Sequence, residues 1–153
     1  MVRGRSIGTL AVMRRDEVSA APYAALLLRV TLGLMFLAHL YWKFEILPGG
    51  FYKWWSNFSA NGYPQFVPWY AMSAEFAGAL LLIPGIYTRW VSLYALPLMI
   101  GASQFWLVRK GFYFSGAGAE LPIVWSIMLI LQALLGDGPY AITWANVQSR
   151  DAS

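Results

Sequence analysis

The 153-residue chain has no cysteine and one histidine, and only 12% of its residues are charged. Without cysteine there can be no disulfide, no thiolate metal site and no Cys-x-x-Cys exchange centre. One histidine cannot supply two axial ligands to a haem, and iron–sulfur ligation has no thiolates to use. Soluble domains carry roughly a quarter charged residues, about twice the fraction found here. Apolar residues fill the place of charge: 59% of the chain is hydrophobic, 17% is aromatic, and the mean hydropathy is +0.52. Surface of that kind must face something other than water. The composition reads as an integral membrane protein and excludes a soluble enzyme. The net charge of +4 comes from basic residues near the ends of apolar runs. It is a topology signal and not a nucleic-acid-binding stripe.

The length fits one membrane domain over 1–153. Residues 1–22 are polar and basic, with Arg3, Arg5, Arg14 and Arg15 ahead of Asp16 and Glu17. The acidic pair and the missing small-residue cleavage site argue against an export signal, so a cytoplasmic tail is expected. Four apolar runs follow at about 24–46, 67–86, 90–108 and 119–136, each near the ~17–25 residues a bilayer-crossing helix needs. Pro97 should kink the third. Tyr87, Thr88 and Arg89 alone separate the second and third runs, whereas about 20 residues separate the first and second. In that longer loop Phe51, Trp54, Trp55 and Phe58 recur at i, i+3, i+4 and i+7, one face of a short helix lying at the interface. The expected fold is all-α: an up-down-up-down bundle of four membrane helices, with an interfacial helix between the first two. Gly33, Gly78, Ala79 and Gly101 should sit at close helix contacts.

The Lys and Arg bias sets an orientation. With both termini inside, Arg3, Arg5, Arg14, Arg15, Arg89 and Arg150 are cytoplasmic, and Lys53, Arg109 and Lys110 lie outside. Depth then follows from a rise of ~1.5 Å per residue: Glu75 within about 3 Å of the midplane, His39 about 6 Å outward, Gln104 about 8 Å and Lys43 about 12 Å. Glu45, Glu120 and Arg109 line the outer mouth, and Arg29 and Gln132 fall in the inner half. His39 and Lys43 are four apart, and Arg29 shares their side of the helix. A polar pocket of Arg29, His39, Lys43, Glu75, Gln104 and Glu120 is therefore expected. Glu75 should lie within about 8 Å of His39, a distance one water can bridge, with Lys43 and Glu120 above them. Trp54, Trp55 and Trp69 form its candidate aromatic lid.

These residues resemble the DoxX family of small four-helix bacterial membrane proteins over about 24–145. "LLLRVTLGLMFLAHLYWKF" is similar to the family's first helix, with Arg29, His39 and Lys43 in place of its recurring Arg and His-x-x-x-Lys. "AEFAGALLLIPGIYTRW" is similar to the second, through Glu75, Gly78 and Arg89. "GFYFSGAGAELPIVW", with Glu120, is similar to the entry to the fourth, and "GDGPYAITWA" to the closing segment. The resemblance implies a multi-pass protein of the bacterial inner membrane, in a family associated with thiosulfate:quinone oxidoreduction, redox-stress complexes and maturation clusters.

Three functions are in view. The first is a membrane subunit of a redox-linked system, contacting quinone as a non-covalent ligand in the lipid phase. His39 and Glu75 would exchange protons there, and electrons would come from a redox partner protein. The second is a non-catalytic scaffold or assembly partner, in which the polar cluster is a folding lock. The third is a transporter or metal handler using His39, Glu75 and Glu120. A metal site typically asks for three or four ligands, so no metal centre is assigned. Whether the chain is an enzyme, and its oligomeric state, stay open at this point.

Overall fold

The computed structural model describes the backbone of residues 5–142 and the side chains from residue 20 onward. Arg3 and Arg150, two of the charges behind the orientation, lie outside the described residues. All regular structure among the described residues is helical: α1 (Arg5–Tyr41), α2 (Gly50–Ala60), α3 (Phe66–Leu82), α4 (Thr88–Lys110) and α5 (Glu120–Leu135). A π-helical turn, Trp42–Ile46, extends α1, and a short 3₁₀ turn, Phe114–Gly116, precedes α5.

α1 takes in most of the N-terminal segment expected as a tail. It runs unbroken from Arg5, with Pro22 inside it. Polarity decides whether a segment sits in lipid, not whether it is helical, and the basic N-terminal residues are adequate helix formers. Its apolar stretch with the π turn, Ala20–Ile46, and α4 are the two helices long and apolar enough to cross a membrane; α3 and α5 are apolar but shorter.

α1 packs against α3 and α5, and α4 packs against the same two. The buried positions of α1 are Ala25, Arg29, Leu32, Phe36, Leu40 and Lys43. Their spacing of three and four is the inward stripe of a helix. On α3 the matching stripe is Ala71, Met72, Glu75, Gly78, Ala79 and Leu82. Where the stripes meet, small residues let the backbones close. A Cβ on Gly33 would stand 2.6 Å from Ile83, and one on Gly78 would strike the Phe36 ring. Gly101 behaves otherwise, since a Cβ there meets nothing within 4 Å. It is exposed on the outside of α4 and is not at a contact within the chain.

The connection between α3 and α4 is longer than three residues. Helix α3 stops at Leu82 because Pro84 and Gly85 follow, and Gly85 holds φ +80, a left-handed conformation that glycine adopts freely. The longer loop does hold an amphipathic helix. Phe51, Trp54, Trp55 and Phe58 of α2 are half-buried, while Tyr52 is 82% exposed. Leu27, Leu34, Leu80, Leu93, Val108 and Leu134 all point outward. So much exposed apolar surface is more than a soluble monomer usually carries.

Candidate functional site

Lys43 and Glu75 form the centre of the site. Both sit on the inward stripes of their helices, and they are 3% and 4% exposed. The Lys43 Nζ donates to Glu75 Oε2 in a short buried ion pair. The pairing follows from side-chain direction. On a helix Cα–Cβ bonds tilt towards the N-terminus, so the long Lys43 stem reaches down α1 to the level of Glu75. A buried charge is expensive, and this pair removes most of that cost by bringing opposite charges together.

Above the pair, α2 supplies a roof. Lys43 Nζ stands 4.0 Å from the centre of the Trp54 ring, a cation–π contact. Trp54 belongs to a run of touching aromatics. Phe44 stacks on Phe51 at 5.2 Å, Phe51 on Trp54 at 5.7 Å, and Trp54 meets Phe58 edge-on at 4.9 Å. Trp55 meets Trp69 edge-on at 4.9 Å, which ties α2 to α3. Of the three tryptophans expected as a lid, Trp54 covers the ion pair, while Trp55 and Trp69 brace each other beside it.

Lys43, and not His39, hydrogen-bonds the Glu75 carboxylate. His39 precedes Leu40 and therefore sits on the flank of the inward stripe, turned towards α5. Its ring stands edge-on to Trp125 at 4.8 Å, and Nδ1 donates to the Met35 carbonyl at 3.3 Å. Glu75 and Lys43 still act on it electrostatically. Trp125, which sequence reasoning passed over, is 4% exposed and packs on Phe36 at 5.0 Å. Its indole Nε1 is buried without a hydrogen-bond partner. A tryptophan inside an apolar run gave no signal of such a role.

The remaining residues of the expected pocket lie elsewhere. Glu120 accepts the Phe114 N–H at 2.9 Å and braces the loop before α5. Gln104 is exposed on the outside of α4. Arg29 occupies the opposite end of the molecule, 1% exposed, donating through Nη2 to the Pro139 carbonyl at 2.9 Å. It is one part of a second polar group that clasps residues 136–142. Gln132 donates to the Gly136 carbonyl at 2.6 Å, and the Thr88 N–H donates to Asp137 at 3.1 Å. The Thr88 hydroxyl donates to the same carboxylate oxygen, and the Ile142 N–H donates to the Pro84 carbonyl at 3.1 Å. The acidic residue of "GDGPY" is thus the cap of α4, a role that carries no local sequence signature because its partner is 49 residues away.

Arg89 lies at this clasped end, lining a shallow cleft with Asp137. Lys53 is on α2 and Arg109 donates to Asn61, both at the end of the ion pair. Among the described residues no three of His, Asp and Glu gather closely enough to hold a metal ion.

Among the described residues, an all-helical fold with an apolar exterior, two helices long and apolar enough to cross a bilayer and a buried Lys43–Glu75 pair suggests the class of small helical membrane-associated proteins. The comparison with known families makes this particular. The DoxX family model matches residues 24–109, more than half of the chain, and the chain belongs to that family. No curated protein and no solved structure matches it.

Proposed function

We propose that the chain is a multi-pass protein of the bacterial inner membrane, with α1, α3, α4 and α5 crossing up-down-up-down and both termini cytoplasmic. The clasped end with Arg89 is then the inner one, and α2 lies at the outer interface. In this reading the outer half of the bundle receives the ring of a lipid-soluble quinone, as the membrane part of a redox-linked system with a separate electron-carrying partner.

The observation that carries the reading is the unpartnered indole N–H of Trp125 beside His39, next to the Lys43–Glu75 pair. A buried donor without an acceptor is costly, and a ligand carbonyl would satisfy it. With Nδ1 donating to Met35, the neutral His39 ring keeps Nε2 as an acceptor. A donor and an acceptor side by side fit a ligand that alternates between carbonyl and hydroxyl, as a quinone and its quinol do. Phe36 and the aromatics of α2 supply apolar walls.

The test is binding of a short-tailed quinone to purified protein in lipid nanodiscs. Saturable binding is expected, weakened at least tenfold by Trp125→Phe. Absence of binding by the well-folded protein would end this reading. A second reading has its own support: Lys43 has both a carboxylate and an aromatic face, so the pair is already satisfied without a ligand. A scaffold or assembly partner locked by that pair would bind no quinone, yet would still lose folded yield when Lys43 is replaced.

A further inference from the structure

We infer that two copies of the chain associate through the outward face of α4, with the Gln104 carboxamide of each hydrogen-bonding that of the other across a twofold axis. The inference rests on the membrane reading above. Leu93, Pro97, Ile100, Gly101, Gln104 and Val108 are all exposed. At ~100° per residue they fall within one stripe about 100° wide, on a helix whose other faces pack against α3 and α5. Gln104 is five residues beyond Met99, the midpoint of α4, or about 7.5 Å along the axis. That is well inside a hydrocarbon half-thickness of about 15 Å.

Gln104 makes no hydrogen bond through its side chain to any of the described residues. Acyl chains offer it none, and a polar group left unsatisfied in hydrocarbon is strongly disfavoured. A carboxamide carries donors and an acceptor together, so it complements a second carboxamide facing it. Twofold symmetry brings each residue of a self-associating patch to its own copy or near it. Self-complementary chemistry at the middle of the stripe is therefore what a second copy of this chain would match; an unrelated partner would need to match the stripe by chance.

Gly101 is the second, independent observation. Elsewhere in the fold, glycines on helices lie under a neighbour: Gly33 under Ile83, and Gly78 under Phe36. Gly101, one turn from Gln104, has open space above it. Association of helices in lipid depends on close backbone approach, because lipid offers no hydrophobic driving force. The open groove over Gly101 permits that approach at the level where the amides would meet.

The absence of cysteine makes the test direct. Ile100→Cys and, as a control on another exposed face, Leu80→Cys are expressed separately, and membranes are treated with a mild oxidant. Ile100→Cys should give a disulfide-linked dimer of this chain, and Leu80→Cys should not. In an Ile100→Cys background, Gly101→Ile or Gln104→Leu should lower cross-linking at least tenfold. Both changes point into open space, so the monomer should keep its thermal stability. Failure of Ile100→Cys to cross-link, equal cross-linking of Leu80→Cys, or a conjugate only with a different protein would each overturn the inference. Carbonate extraction of the same membranes separates the two levels. A chain released by carbonate defeats the membrane reading and this inference together, whereas a retained chain that stays monomeric defeats this inference alone.

Discussion

Replacing Lys43 by Met should destabilise the protein more than replacing Glu75 by Gln, although each breaks the same ion pair. Lys43→Met leaves the buried Glu75 carboxyl, 4% exposed, with no cation beside it. In the proposed membrane placement a charge there costs about 3 kcal/mol on insertion scales, and breaking a buried pair by removing one partner costs about 3–5 kcal/mol. Protonation limits the penalty, since a lone buried carboxyl takes up a proton instead of staying charged. We therefore expect about 3 kcal/mol. Glu75→Gln leaves Lys43 better placed. Its ammonium keeps the Trp54 face, worth about 1–2 kcal/mol when desolvated, and its stem can turn towards the outer interface. The expected loss is about 1–2 kcal/mol, with the neutral amide still able to accept a hydrogen bond.

The double variant Lys43→Met/Glu75→Leu removes both charges and should recover much of the loss, as apolar replacements of buried pairs do. The coupling energy of the cycle should be at least about 1.5 kcal/mol, above the ~0.6 kcal/mol average for interhelical hydrogen bonds in a membrane. Reversible unfolding in mixed micelles, or steric trapping in bicelles, reads all four corners. Equal losses for the two single variants would refute the argument from depth. A coupling below about 0.5 kcal/mol would show that the pair contributes no more than ordinary helix contacts.

Gly85→Ala should be severely destabilising, by more than about 2 kcal/mol, because the new methyl would land on the Arg29 guanidinium at a backbone position of φ +80; thermal melts of folded yield check it, and a neutral result would mean that Arg29 is free to move. Asp137→Ala removes the acceptor for both the Thr88 N–H and its hydroxyl, so α4 should lose about 1–2 kcal/mol of capping, which Asp137→Asn partly restores in the same melts. Ser56→Cys on α2 should react with a membrane-impermeant thiol reagent added from outside intact cells, and labelling only after lysis would reverse the orientation.

The inward stripe of α1 was legible before any coordinates. Ala25, Arg29, Leu32, Phe36, Leu40 and Lys43 recur at three and four, and that pattern alone puts Lys43 inside with His39 one position off it. Ranking by the depth of Cα atoms set Lys43 well above Glu75 and ignored how far a lysine stem reaches along a helix to bond that carboxylate. The amphipathic helix α2 was equally legible, since its four aromatics already stood on one face. Gln104 illustrates the opposite case. A polar residue in an apolar run is expected inside, but which side of α4 faces α3 and α5 depends on tertiary packing that no local spacing encodes. The clasp on residues 136–142 was illegible for a related reason. Arg29 meets Pro139 across 110 residues of chain, and Asp137 meets Thr88 across 49.

The two ends of the molecule are held by different physics, and that difference predicts where it opens. At the clasped end, backbone and side-chain hydrogen bonds from α1, α4 and α5 converge on residues 136–142, part-buried and some of them charge-assisted. At the other end, α2 is an 11-residue helix, too short to be stable by itself, whose anchors are ring contacts and the Lys43 ammonium beneath Trp54. Ring contacts are individually weak and tolerate sliding, whereas a hydrogen-bonded cap is lost all at once. The amides of α2 should therefore exchange with deuterium together, as one low-energy opening unit, while the amides of Thr88 and Ile142 exchange only with global unfolding. Lys43→Met should speed exchange across α2 and leave Thr88 and Ile142 relative to global stability as before, because it removes an anchor from one end only. Hydrogen exchange by mass spectrometry in nanodiscs measures both. If Thr88 or Ile142 opened as readily as α2, the clasp would not be the rigid end, and the outer mouth would lose its claim to be where a ligand enters.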